Sequence, residues 1–192
     1  YGYLLNTTNT TLIYQNVNGL DMENCYVYLE GPTTGTRNKI TNGGRNFNNN
    51  TFMAKEATGI VCASSLGNDI FVDDGDYALT VSAEVVGGNI DITGGQGLIT
   101  GNEVTSGVRV TGLNIRVKDY LGPAAQVGTN TSLMGCNFFE DYGQADTDMI
   151  QVKTGCTGVE VANCTFDFFN VAGRIGNYGI TAVDNGTVVK FA

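Results

Sequence analysis

Histidine is missing altogether from this chain of 192 residues. That absence removes His-based metal centres and the Ser-His-Asp and Cys-His nucleophilic systems together. Charged residues make up only 15%, well below the usual quarter, and there are just 2 prolines. Runs of Ala, Leu, Glu and Lys are also lacking, so helix propensity is poor along nearly the whole chain. No apolar run approaches the ~18 residues of a membrane-spanning helix. The chain opens Tyr1-Gly2-Tyr3 with neither Met nor a signal-peptide pattern, as a processed or trimmed chain would. The few charges are unbalanced: 10 basic and 19 acidic residues give a formal net charge of -9. A surface that acidic repels phosphate backbones, so nucleic acid is not an expected partner.

What is abundant is Gly (27 residues), Asn and Thr, which suits many tight turns between short strands. Five cysteines occur, Cys25, Cys62, Cys136, Cys156 and Cys164, an odd number with no CxxC pair. They read as buried free thiols packing as small apolar side chains, with disulfides as the alternative. Six N-x-[ST] sequons begin at Asn6, Asn9, Asn49, Asn130, Asn163 and Asn185. They would carry glycans only in a chain secreted by a glycosylating host.

A repeat sets the fold. The stretch Gly158 to Phe166 alternates apolar Val159 and Val161, breaks at Asn163, then resumes with Cys164 and Phe166. The same nine-position template fits Gly107 to Ile115, Asn130 to Phe138 and Gly19 to Val27. Weaker copies begin at Gly59, Asn89 and Gly186. Starts at 89, 107, 130, 158 and 186 are 18, 23, 28 and 28 residues apart, about the length needed to close one coil of three short strands. Alternation buries one face of each strand. The Asn or Gly at the sixth position predicts a corner through the left-handed region, which these residues tolerate best. Stacked coils would align Leu113, Cys136 and Cys164 in one internal column, and Ile115, Phe138 and Phe166 in the next. Val110, Leu133 and Val161 would share a third. The expected fold is a single all-β domain over residues 1–192, a right-handed parallel β-helix, with a β-sandwich or jelly roll as the alternative. Long loop insertions are expected near 31–50 and at the acidic stretch 67–76, with a third at Tyr120 to Gln126.

The run Asp148 to Lys153, together with Gly158 to Phe166 and Gly107 to Ile115, resembles coils of the pectate-lyase-like β-helix superfamily. The resemblance covers residues from about 87 to 177. It implies a scaffold shared by pectin-degrading enzymes, phage tailspikes and non-enzymatic virion and surface proteins. In the lyases it further implies calcium held by carboxylates, a position Asp148 would take with Lys153 beside it. The family's Arg-x-Pro-Arg type stretch is missing, since Arg174 is followed by Ile175-Gly176-Asn177.

Two acidic groups are the candidate chemistry. Asp73, Asp74 and Asp76 surround Gly75 and offer oxygen ligands to a hard cation such as Ca2+, although they equally suit an acidic turn. Glu140, Asp141, Asp146 and Asp148 supply the paired carboxylates of a glycosidase, or a solvated loop after Phe138. Aromatics cluster near both ends (Tyr1, Tyr3, Tyr14, Tyr26 and Tyr28; Phe138, Phe139, Phe166, Phe168 and Phe169). Exposed Tyr would stack on sugar rings or fill an interface. Phe139, Phe168 and Phe169 fall just outside the template and suggest a sticky face. Three functional readings stay open. One is a non-enzymatic structural or adhesive protein of a virion surface, such as a phage decoration, fibre or spike component, assembled as a homo-oligomer, with a trimer favoured. Another is a lyase or glycoside hydrolase acting on acidic or capsular polysaccharide. The third is a secreted cell-surface or filament subunit.

Overall fold

A computed structural model describes residues 13–14, 21–30, 39–41, 46–57, 59–100, 107–120, 122–141, 148–168, 178–182 and 189–191. These form a parallel β-solenoid. In chain order the first coil carries β1 (Ile13–Tyr14), β2 (Met22–Glu23) and β3 (Tyr26–Glu30). The second carries β4 (Lys39–Thr41), β5 (Asn46–Asn48) and β6 (Thr51–Lys55). The next two coils have two strands each, a longer one and then a shorter: β7 (Ile60–Leu66) and β8 (Asp69–Asp73), then β9 (Tyr77–Val86) and β10 (Asn89–Thr93). The next coil has β11 (Gln96–Thr100), β12 (Arg109–Thr111) and β13 (Asn114–Lys118). After it come β14 (Ala125–Val127), β15 (Ser132–Met134) and β16 (Asn137–Asp141), then β17 (Asp148–Val152), β18 (Val159–Ala162) and β19 (Thr165–Phe168). The described strands end with β20 (Tyr178–Ala182) and β21 (Val189–Phe191).

Every strand pair among the described residues is parallel, which sets aside the sandwich and the jelly roll, both antiparallel folds. The coil has three faces. Two are joined in one 14-stranded sheet because β7 and β9 run round the corner between them. Where they bend, the register slips between Cys62 and Ser64, and such an irregularity gives a strand its turn. The third face is a separate seven-stranded sheet in the order β19-β16-β13-β10-β8-β6-β3. Along it Val27, Phe52, Ile70, Ile90, Ile115, Phe138 and Phe166 pair in succession, with steps of 25, 18, 20, 25, 23 and 28 residues.

The predicted columns are present. Val110 pairs with Leu133, and Leu133 with Val161. Ile115 pairs with Phe138 and Phe138 with Phe166, the two rings stacking at 5.4 Å. Burying such side chains is the main stabilising term, roughly 1.5–3 kcal/mol for each Val, Leu, Ile or Phe taken fully from water. The predicted corner is present too. Asn24, Gly112, Gly135 and Asn163 have φ of 54°, 65°, 61° and 53°, and Asn49, Gly67 and Gly87 fill the same corner at 51°, 61° and 62°. From Asn24 to Gly135 each of these corner N–H groups donates to a carbonyl of the next coil, as in Gly87 N to Thr111 O (2.7 Å) and Gly112 N to Met134 O (2.9 Å). An L-residue there pays in strain; Asn and Gly pay least. None of the five cysteines is in a disulfide, and Cys62, Cys136 and Cys156 are buried.

Several expectations need correction. The stretch 67–76 is not a loop: its residues Asp69–Asp73 form β8, whose Ile70 and Val72 point into the core while Phe71 and Asp73 face out. The expected loop at 31–50 contains two short strands, β4 and β5, that pair with β7, and residues 31–38 lie outside the described residues. The weak copies at Gly59 and Asn89 sit on other faces, since Ile60 pairs with Leu79 and Asn89 with Asn114. The copy at Gly186 is two residues out of phase, because Val189 aligns with Val159.

Candidate functional site

The outward side of the seven-stranded sheet carries aromatic, amide and charged side chains together. Its strands alternate, so the residue between the two inward positions of each strand points to solvent. Those central residues are Tyr28, Met53, Phe71, Asp91, Arg116, Phe139 and Asp167, one per coil and paired in register. Phe71 is 42% exposed and Met53 37%. Strands lie about 4.8 Å apart, so Phe71 and Phe139, three strands apart, stand about 14 Å from each other along the solenoid axis. Between them come Asp91 and Arg116.

Beside this column runs a second, formed by the first residue of each strand. Asn137 Nδ2 donates to Asn114 Oδ1 (2.7 Å), Asn114 Nδ2 to Asn89 Oδ1 (2.9 Å), and Asn89 Nδ2 to Asp69 Oδ1 (2.7 Å). The amides stack because identical side chains at equivalent positions meet edge to edge on adjacent coils. On the far side Lys118 Nζ reaches Asp91 at 2.7 Å. Together these columns border a groove of about 770 Å3, with Asp69, Asp167 and Arg116 also on its wall. A second depression of about 450 Å3 shares Phe71 and Asp91 with it and continues toward Tyr28 and Met53. The pair is therefore an elongated trough across many coils. Tyr26 Oη donates to Met53 Sδ at 2.7 Å on the same face. The surface offers flat apolar rings, amide groups that both donate and accept, and carboxylates that only accept.

Of the carboxylates singled out from sequence, Asp73 lines the second depression, and they do not come together there as a group. Glu140 sits at an inward position of β16 and is only 3% exposed, because strand alternation turns it away from solvent. Asp141 closes the same strand, paired with Lys118. Asp148 begins β17 on a different face, paired with Tyr178. Asp146 lies outside the described residues. Asp73 ends β8 and pairs with Lys55. Asp74 holds φ at 52° at the next corner, and Asp76 lies two residues further on. Among the described residues, no three of His, Cys, Asp and Glu come together as a metal site. Burial first, and then the charge of Asp76, raise the Tyr77 and Tyr120 hydroxyls above their ordinary range.

Of the aromatics, Tyr26, Tyr28 and Phe139 belong to the outward face, whereas Phe169, Tyr1 and Tyr3 lie outside the described residues. Phe71, Asp91, Arg116, Asn89 and Asn114 were missed. A signal for three groove residues was present: the residues following the inward Ile115, Phe138 and Phe166 are Arg116, Phe139 and Asp167. Sequons at Asn49, Asn130 and Asn163 all fall on exposed left-handed residues. No protein-family model, curated protein or solved structure matches this chain. The pairing and register alone place it in the class of parallel β-solenoids.

Proposed function

We propose that this protein is a structural, adhesive β-solenoid without catalytic activity of its own, which lays an extended polysaccharide along the outer face of its seven-stranded sheet. The observation that carries the reading is the trough: two aromatic rings about 14 Å apart flank charged and amide groups, on a rigid surface that repeats coil by coil. Rings stack against the apolar faces of sugars and the amides meet their hydroxyls. The resemblance to virion β-helices makes the surface of a phage particle the proposed setting, as a decoration, fibre or spike component. A homo-oligomer, with a trimer favoured, is the proposed assembly, since identical solenoids bury flat faces against one another.

The test is glycan binding by calorimetry beside mass by light scattering. Phe71→Ala with Phe139→Ala is expected to weaken binding at least about tenfold, each stacking platform contributing on the order of 1 kcal/mol. A trimer mass is expected for the intact chain. Release of new reducing ends, or of an unsaturated product, would replace the adhesive reading with a hydrolase or lyase. Glycan mass on Asn49, Asn130 or Asn163 in the natural material would favour a secreted surface protein over a phage one.

A further inference from the structure

We infer that the trough selects neutral, hydroxyl-rich glycans and rejects uronate-rich ones; this rests on the glycan-binding reading above and narrows its ligand. The groove wall carries three carboxylates, Asp69, Asp91 and Asp167, against one guanidinium, Arg116. The depression that continues the trough adds the carboxylate Asp73 and two ammonium groups, Lys55 and Lys118, and Lys118 is already held at 2.7 Å by Asp91. The local balance is negative, inside a chain of net charge -9. A polyanion approaching this face is repelled at long range and desolvates carboxylates against carboxylates on arrival.

The hydrogen-bonding inventory points the same way. Carboxylates accept only, so each asks its ligand for a donor. In the ladder each of Asn89, Asn114 and Asn137 gives one Nδ2 hydrogen to the preceding coil. Its second hydrogen is left for a ligand acceptor, and the Asn89 and Asn114 Oδ1 atoms retain a lone pair beyond the ladder bond. A surface that both donates and accepts, beside groups that only accept, matches sugar hydroxyls, each one donor and two acceptors. Hydroxyl-to-carboxylate bonds are of the stronger, charge-assisted kind. A uronate fills the donor side poorly and offers further acceptors where acceptors already stand. Phe71 and Phe139 then supply the apolar platforms that a neutral ring needs.

The probes are neutral hexasaccharides of glucose, mannose and N-acetylglucosamine, a hexagalacturonate, and a lysine decamer, each titrated by calorimetry into the intact chain at low salt with chelator. At least one neutral hexasaccharide is expected to bind. The hexagalacturonate is expected to bind at least about tenfold more weakly, a gap that closes as salt rises. Asp167→Asn is expected to improve hexagalacturonate affinity by about two- to threefold, the size of one unit charge at groove distance in water. Hexagalacturonate binding as tight as the best neutral sugar, with chelator or with added calcium, overturns the selectivity while leaving the glycan-binding reading standing. A lysine decamer that outcompetes every sugar overturns it in favour of a basic peptide. Binding of no sugar by a folded chain overturns both.

Discussion

One internal column is built in two ways along its length. At the corner preceding the seven-stranded sheet, successive coils place Cys25, Asn50, Asn68, Gly88, Leu113, Cys136 and Cys164, and the first six carbonyls each accept from the residue that starts the next coil's strand. After Cys25, the N-terminal half fills this position with the amides of Asn50 and Asn68. Asn68 uses its full capacity: Nδ2 donates to Phe47 O (2.6 Å) and Ser65 Oγ (2.7 Å), and Oδ1 accepts from Asn50 N (2.8 Å) and Asn50 Nδ2 (3.1 Å). Asn50 Nδ2 also reaches Met22 O at 2.9 Å, and its Oδ1 accepts from Cys25 N at 2.9 Å. The C-terminal half fills the same position with Leu113 and two thiols. Cys136 Sγ and Cys164 Sγ each lie 3.4–3.6 Å from the carbonyl two residues back, at Met134 and Ala162. The position accepts either kind of side chain, held mainly by hydrogen bonds in one half and by packing in the other. At the junction stands Gly88, at φ 97°, where a Cβ would lie 2.4 Å from Asn68 O.

The sharpest way to break this comparison is Asn68→Leu. It leaves the Asn50 amide, the Phe47 carbonyl and the Ser65 hydroxyl without partners in the core, and should cost about 3 kcal/mol in urea unfolding. Converting both amides, Asn50→Leu with Asn68→Leu, makes the N-terminal half resemble the C-terminal half and should restore a large part of that loss. Double-mutant additivity would show instead that the amides act separately.

Next in size is the junction. Gly88→Ala should cost about 2–3 kcal/mol, from left-handed strain and the collision with Asn68 together. Gly112→Ala, at φ 65° with nothing within 4 Å of its new Cβ, should cost about 1 kcal/mol, and Gly112→Asn much less. Equal losses at the two glycines in thermal unfolding would remove close packing from the account.

Alkali probes the thiols more gently. Burial pushes the Cys62 thiol up from its ordinary 9.0 to about 12. Above pH 9 the unfolded chain therefore releases a proton that the folded chain keeps, so stability is full below pH 9 and falls as pH rises toward 12. The slope approaches about 1.4 kcal/mol per pH unit for this group. Tyr77 and Tyr120, also raised, add to the fall at higher pH. Cys62→Val should flatten the first part of the curve in pH-dependent urea titrations.

The smallest effect separates the two stacked thiols. Their hydrogen bond, and then burial, hold Cys136 protonated well above the ordinary thiol range, while the same bond draws the half-exposed Cys164 below it. Iodoacetamide at neutral pH should therefore label Cys164 well before Cys136 and Cys62, read by peptide mass spectrometry. Equal labelling of Cys136 and Cys164 would mean that the column opens there.

The coil pattern was legible from residues 107 to 166, where apolar alternation and an Asn or Gly break sit in one short window. It faded where polar residues carry the packing. Asn50 and Asn68 fell within the expected loops at 31–50 and 67–76, since a lone amide gives no sign that a neighbouring coil will satisfy it. Strand β8 read as an acidic loop, since Asp69, Asp73 and Asp74 outweighed the short alternation of Ile70 and Val72. Glu140 read as a surface carboxylate, although counting from the inward Phe138 by the two-residue period places it inside. The trough was illegible for a different reason: Phe71 and Phe139 are separated by three coils of unequal length, so no fixed spacing joins them.

By itself the sequence determined the strand period, the left-handed corners and which side chains face inward, because these depend on residues within a few positions of each other. Register between the coils before residue 107, the burial of Asn68 and the assembly of the trough were decided only by the tertiary structure. Each depends on which residues stand one strand spacing away, and that is set when coils of 18 to 28 residues stack and strand amides bond to the neighbouring layer.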